Sequence, residues 1–186
     1  MSIALTWRGV EEWLAEHVRL DLMADGILAT GVQLGAEPEH YRVDYRLDVP
    51  SDWITRRLEV DASGANWARS LVLQHDGAGA WTCNGEPDSA LDGALDCDLA
   101  FSPLTNVMPI RRHELHERPG SADFLMAWVS VPDLAVHASP QRYEHLRAGV
   151  VRYVALDGDF RADLEVDADG LAVRYPRLAE RVKAPR

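Results

Sequence analysis

Two carboxylates alternate in Asp96-Cys97-Asp98. On a strand they share a face, where they could hold a metal as in metal-dependent sugar transferases, or act as acid and base. The transferase use also needs a nucleotide-binding βαβ pattern, and the chain carries none. Arg111-Arg112-His113-Glu114-Leu115-His116 sets two histidines three residues apart. That spacing shares a face only on a helix, and after Pro109 the chain reads as extended, which argues against zinc. Glu165-Val166-Asp167-Ala168-Asp169-Gly170 opens like a calcium loop but reaches Pro176 where calcium needs a bidentate Glu. A hairpin through Asp169-Gly170 accounts for the same residues. No Gly-x-Ser-x-Gly elbow is present, and Cys83 and Cys97 sit in apolar contexts that suit inert buried thiols. Neither a metal nor an organic cofactor is expected.

Arginines and aromatics remain. Strand parity puts Arg56 with Ile54, Leu58 and Val60 on an apolar face. An inward guanidinium either pairs with a neighbouring carboxylate or waits in a concavity for an anionic or polar headgroup. Arg111 and Arg112, bracketed by Asn106 and Glu114, carry the same two readings. Six Trp and five Tyr can line an apolar cavity and still offer N–H and O–H groups to a ligand. Trp67, Trp81 and Trp128 fall in strand-like segments, with core packing as their plainer role.

The elements that must position these groups show period two. Tyr41, Val43, Tyr45, Leu47 and Val49 alternate with charged residues, and residues 160–166 and 171–175 do the same. Further strands are expected at 18–23, 27–34, 54–61, 69–75, 124–131, 134–138 and 150–156. Five Asp-Gly pairs, at Gly26, Gly77, Gly93, Gly158 and Gly170, mark tight hairpins. Short helical turns are expected at 11–16 and at 103–108, the latter with Ser102 as cap and Pro103 at the first position. Phe124 to Val129 is apolar on both faces and should lie centrally, covered on both sides. The prediction is a mainly β single domain over residues 1–186, a strongly curved antiparallel sheet or open half-barrel of about ten or more strands. A fully packed barrel without a cavity is the alternative.

Composition narrows the partners. The 186 residues carry 19 Lys+Arg against 30 Asp+Glu, a net charge of -11, so a nucleic-acid partner has no electrostatic footprint. The longest apolar run is too short for a membrane span. No export signal is visible near Met1, so a cytoplasmic location with reduced cysteines is expected. Oligomeric state leaves no trace in the sequence.

The order of short motifs is more specific than any one of them. Gly93-Ala-Leu-Asp96-Cys-Asp98-Leu99, Ser102-Pro103-Leu-Thr105-Asn106 and Pro109-Ile-Arg111-Arg112 are followed by Val131-Pro132-Asp-Leu134-Ala-Val136, Gln141-Arg-Tyr143, the 160–171 hairpin and Tyr175-Pro176. Together they resemble the bacterial putative glycolipid-binding protein family, best from about Trp81 to Arg181, with Trp53-Ile-Thr-Arg56 an earlier point of match. His113 and Ala94 depart from the family pattern, which has Leu and often Cys there. The resemblance implies a strongly curved antiparallel sheet similar to bacterial lipoprotein localisation carriers. The leading expectation is a non-catalytic binder of a lipid or glycolipid held in the concave face of the sheet, with Arg56, Trp81, Asn106, Arg111, Arg112, Trp128 and Tyr143 as candidate ligand contacts. An enzyme using Asp96 or Asp98 in the same cavity, or an interaction module without a ligand, are the rival readings.

Overall fold

The computed structural model describes residues 1–183. In chain order the strands are β1 (Ser2–Gly9), β2 (Leu14–Leu22), β3 (Ile27–Gly35), β4 (Tyr41–Val49), β5 (Arg57–Ser63), β6 (Ala68–His75), β7 (Trp81–Cys83) and β8 (Glu86–Pro87), then β9 (Asp96–Leu99). A long connection follows, and then β10 (Ser121–Val129), β11 (Val136–Arg147), β12 (Val150–Ala155), β13 (Arg161–Val166), β14 (Ala172–Tyr175) and β15 (Ala179–Arg181). All fifteen form one open sheet, ordered β8 to β1 and then β15 down to β9, so the first and last strands pair in its middle. Four of the Asp-Gly pairs join neighbouring strands, as their turn chemistry predicts; Asp92-Gly93 instead lies between the two sheet edges.

That placement dictates the shape. Laid flat, fifteen strands would span about 65 Å, yet the edge strands β8 and β9 are joined by the few residues between Pro87 and Asp96, which reach at most about 30 Å. The sheet must therefore curl until its edges approach. Trp81 Nε1 donates to Ala94 O across the gap at 2.9 Å, and Gly93 N donates to Gly79 O at 2.9 Å.

One pair departs from the antiparallel expectation: β9 runs parallel to β10. Parallel neighbours need a long crossover, and here the crossover fills the interior. A 3-10 turn at Pro103–Asn106 continues into α1 (Val107–Arg112), and every residue from Ser102 to Ile110 is buried. Pro103 starts the turn as expected, and Pro109 sits in the first turn of α1, where a missing N–H costs no intrahelical bond. This plug packs with side chains from both halves of the sheet in one cluster, including Leu20, Leu47, Leu58, Leu104 and Met108.

The structure corrects several expectations. Residues 11–16 form no helical turn but lead into β2, where Leu14, Glu16, Val18 and Leu20 bury at period two. β1 carries the same weak alternation and escapes notice in the sequence. Arg56 lies just outside β5, which begins at Arg57, although its N–H still donates to Asp48 O at 2.9 Å and its carbonyl accepts from His75 N at 3.0 Å; left-handed Asp52 and Trp53 (φ 56° and 55°) turn the chain just before it. Arg111 to His116 is the end of α1 and a run of turns, not extended chain. β10 is second from the edge rather than central, although Met126 and Ala127, on opposite faces, are both fully buried. No helix among the described residues is long and apolar enough to cross a membrane.

Two glycines take aromatic covers from the facing strand. Gly31 pairs with Tyr45 and Gly35 with Tyr41, and a Cβ on either glycine would overlap the opposing ring. Gly31→Ala is expected to lower unfolding free energy by about 1–3 kcal/mol in urea titrations, as overpacking does. Thr30→Ala, on the exposed face of the same strand, should cost under about 0.5 kcal/mol.

Candidate functional site

Where the plug leaves the curled sheet unfilled, a cavity of about 280 Å³ remains. β9 delivers Asp98, the start of the plug delivers Ser102 and Asn106, and β10 delivers Trp128. Tyr153 on β12, Phe160 and Tyr175 on β14 complete an aromatic wall, with Phe160 edge-on to Tyr153 at 5.8 Å. Trp128 packs on His137 of the neighbouring strand at 4.6 Å, which fixes its indole. Phe101, Phe160 and Leu178 continue into an apolar groove of about 120 Å³ that ends at Leu14, with Glu11 and Arg177 paired at its rim.

Asp98 is the only acidic side chain lining the cavity among the described residues, and no cation lines it. Its Oδ1 accepts from Thr105 at 2.8 Å and its Oδ2 from Gln141 at 2.7 Å. Burial pushes the carboxyl above its ordinary range, and these two donors hold it back. Burial likewise raises the hydroxyls of Tyr143, Tyr153 and Tyr175, and the Asp98 charge adds to each shift. Two lone-pair sites on the carboxylate stay open to a donor from a ligand. Tyr143, wholly buried behind this wall, donates to Asn106 Oδ1 at 2.9 Å, while Asn106 Nδ2 donates to Pro103 O at 3.2 Å. Asn106 therefore presents a fixed amide edge at the cavity.

The second carboxylate of the alternating pair is committed. Asp96 is fully buried and receives Arg112 Nη1 at 2.8 Å and Nη2 at 2.5 Å, and Nη1 also donates to Trp53 O at 2.8 Å. Burial raises the Asp96 carboxyl and the guanidinium opposes the rise. The buried ion pair, one of the two readings open for Arg112, is the arrangement found.

The seven candidate contacts fall in three places. Asn106 and Trp128 line the aromatic cavity and Tyr143 backs it. Arg111 and Arg112 meet at the far end of α1, beside Trp53. Arg56 and Trp81 lie apart: the Arg56 guanidinium tucks against Gly77 with Nη1 buried and unpartnered, and Trp81 stacks on His75 at 4.7 Å. His75 is satisfied as a neutral ring, donating through Nδ1 to Thr55 O and accepting at Nε2 from Gly79 N. Sequence reasoning did not single out Tyr153, Phe160 and Tyr175 as a wall; each occupied a strand position, but only the pairing of β12, β13 and β14 brings them together. Ser102 read as a helix cap, yet its Oγ donates to buried Glu16 at 2.6 Å instead.

The calcium-like loop is a hairpin in which Asp167 Oδ1 accepts from the backbone N–H of Asp169 and Leu171. No group of three or more metal-ligating side chains occurs among the described residues. A larger depression of about 390 Å³ on the outer face of β2 to β5 is lined mainly by charged and polar side chains, among them His17, Arg19, Asp44 and Glu59.

A family model described as putative glycolipid-binding matches residues 4–181. The crystal structure of a DUF1089 family protein from Pseudomonas aeruginosa is similar over 95% of each chain, with 32% identity and a TM-score of 0.79. No curated protein matches.

Proposed function

This chain belongs to the putative glycolipid-binding family, and from that premise we propose that it binds an amphipathic molecule with a neutral polyhydroxy head in the aromatic cavity. The observation that carries the reading is a single uncompensated carboxylate, Asp98, set among aromatic rings with no cation nearby. Sugar hydroxyls are donors that such a carboxylate and the Asn106 amide can orient, while a sugar's C–H face packs on rings like Trp128. An anionic head would meet Asp98 repulsively. The apolar part of the ligand would follow Phe101, Phe160 and Leu178 toward Leu14, gaining about 25 cal/mol per Å² of surface buried. The Arg112 contact proposed from sequence is hard to reconcile with its bidentate bond to Asp96, so the head is assigned to Asp98.

Asp98's raised carboxyl also suits a general acid, which favours an enzymatic reading as the second choice. Glycoside hydrolysis ordinarily uses two carboxylates flanking the bond, and Asp96 is tied to Arg112 outside the cavity lining.

Native mass spectrometry of freshly purified protein, followed by organic extraction, tests the proposal. We expect a discrete adduct that leaves on extraction, and a short-chain glucosyl diacylglycerol should bind. Trp128→Ala and Asp98→Asn should each weaken it by about tenfold or more. Unchanged affinity in a folded Trp128→Ala, Asp98→Asn double variant would remove the cavity from consideration. Turnover of the glycolipid lost in Asp98→Asn would move the assignment to the enzyme.

A further inference from the structure

At the opposite end of α1 lies a second cavity, about 400 Å³, that shares no lining residue with the aromatic one. Trp53 forms one wall, Arg111 and Arg112 enter from the end of α1, and His116 closes the base. The Arg111 guanidinium lies 4.9 Å over the Trp53 ring, its stem packs beside Gly170, and it makes no ion pair or side-chain hydrogen bond among the described residues. Arg112 spends both Nη groups on Asp96 and Trp53, yet its Nε is buried without a partner. His116, 5% exposed, likewise keeps Nδ1 buried and unpartnered. Buried polar atoms without partners are uncommon because each costs its full desolvation, and two of them belong to residues that line a cavity already holding a free guanidinium.

The charges facing this space define what fits it. Arg112 and Asp96 cancel, and Glu114 is matched by Arg118 at 2.7 Å. Glu117 stands 3.7 Å from His116 Nε2 and is mostly exposed, while the ring is held toward its neutral form chiefly by burial. Arg111 is left as the uncompensated inner charge. The Trp53 platform is built at a cost, since Asp52 and Trp53 hold consecutive left-handed conformations, each unfavourable for a non-glycine residue. Trp53 N donates to Asp25 O at 2.9 Å and its carbonyl accepts from Arg112, which locks the pair in place.

We propose that this cavity is a separate binding site for a phosphate-type oxyanion, held by the Arg111 fork and the ring of His116. The Trp53 ring supports the Arg111 guanidinium from one side, and a planar guanidinium with free N–H groups is the group that recognises phosphate bidentately. Donors from the Arg111 fork and the His116 ring, on two different segments, suit a tetrahedral oxyanion better than a planar carboxylate. Glu117 acts as a rim charge that weakens the site without blocking it.

Isothermal titration of the full chain with inorganic phosphate, dihexanoyl phosphatidic acid and the matching dihexanoylglycerol tests this. Phosphate-bearing probes should bind and dihexanoylglycerol should not. Arg111→Gln should weaken binding by about tenfold or more, and Glu117→Gln, an exposed change that leaves the fold alone, should tighten it by about two- to fivefold. Equal affinity for phosphate and phosphatidic acid identifies a free-phosphate site, whereas much tighter phosphatidic acid identifies a lipid headgroup; either supports the site. Absence of heat with both phosphate probes to about 10 mM, or a Glu117→Gln affinity equal to the parent's, overturns it. The aromatic cavity is judged by its own glycolipid titration, so each assignment fails independently.

Discussion

Arg112→Ala is expected to lower the unfolding free energy by about 3–5 kcal/mol in urea titrations at pH 7. The side chain ties three segments at once: its Nη groups hold Asp96 on β9, and Nη1 also holds the carbonyl of the left-handed Trp53 turn, while its own backbone ends α1. Truncation would strand the Asp96 carboxylate, fully buried, without its only cation partner among the described residues. Asp96→Leu with Arg112→Met should recover most of that loss, because apolar groups of similar volume remove the charge together with its partner. The effect should also reach the aromatic cavity, since β9 carries Asp98 two residues from Asp96 and has only β10 beside it. Glycolipid affinity of Arg112→Ala should therefore fall even under conditions where it is still folded. A loss below about 1 kcal/mol would mean that the pair is not what anchors β9.

How much of this was readable beforehand depends on the range of the interaction. Tyr41 to Val49 declares itself because its alternation and its burial coincide residue by residue. The Asp-Gly turns are local chemistry and appear where expected. Arg56 reads as inward by parity with Leu58 and Val60, and its Nη1 is buried, but the surface it packs on, Gly77 of the following hairpin, is not something parity reveals. The plug was legible only as Ser102-Pro103, a helix start; that it would fill the curled sheet follows from a parallel edge pair, β9 with β10, which no period reveals. Among the site residues, Asn106 and Trp128 could be singled out by type and segment, but the alliance of Asp98 with Gln141 and Thr105 depends on three elements meeting. Glu16 shows the limit most sharply. It falls in the stretch expected to form a helical turn at 11–16, yet it sits in β2, 1% exposed on the inner face.

Glu16→Gln should stabilise the protein at pH 8 by about 3 kcal/mol and leave it nearly unchanged at pH 4.5. Glu16 Oε1 accepts from Tyr45 at 2.7 Å and from Ser102 at 2.6 Å, whereas Oε2 is buried without a donor and Gln33 Oε1 is also unpartnered. Gln33 Nε2 donates to Ala100 O at 3.2 Å. A proton on Glu16 removes the charge that burial penalises, so the neutral acid is the form this pocket fits. Burial accordingly pushes the carboxyl from 4.5 up to about 7, against the opposing pull of Ser102, Tyr45 and Gln33. The raised value sets the sign: between about pH 4.5 and 7 the folded chain keeps a proton that the unfolded chain has released, so the contribution of Glu16 is full below that window and is lost as pH rises through it. Glutamine supplies a permanent donor at the Oε2 position and a permanent acceptor at Oε1, which removes the loss. Urea unfolding of both proteins from pH 4.5 to 8 decides the matter, since the curves should diverge with pH; parallel curves would mean that the proton is absent. Ser102 begins the plug beside the aromatic cavity, so ionisation of Glu16 acts at the junction that holds the plug to β2.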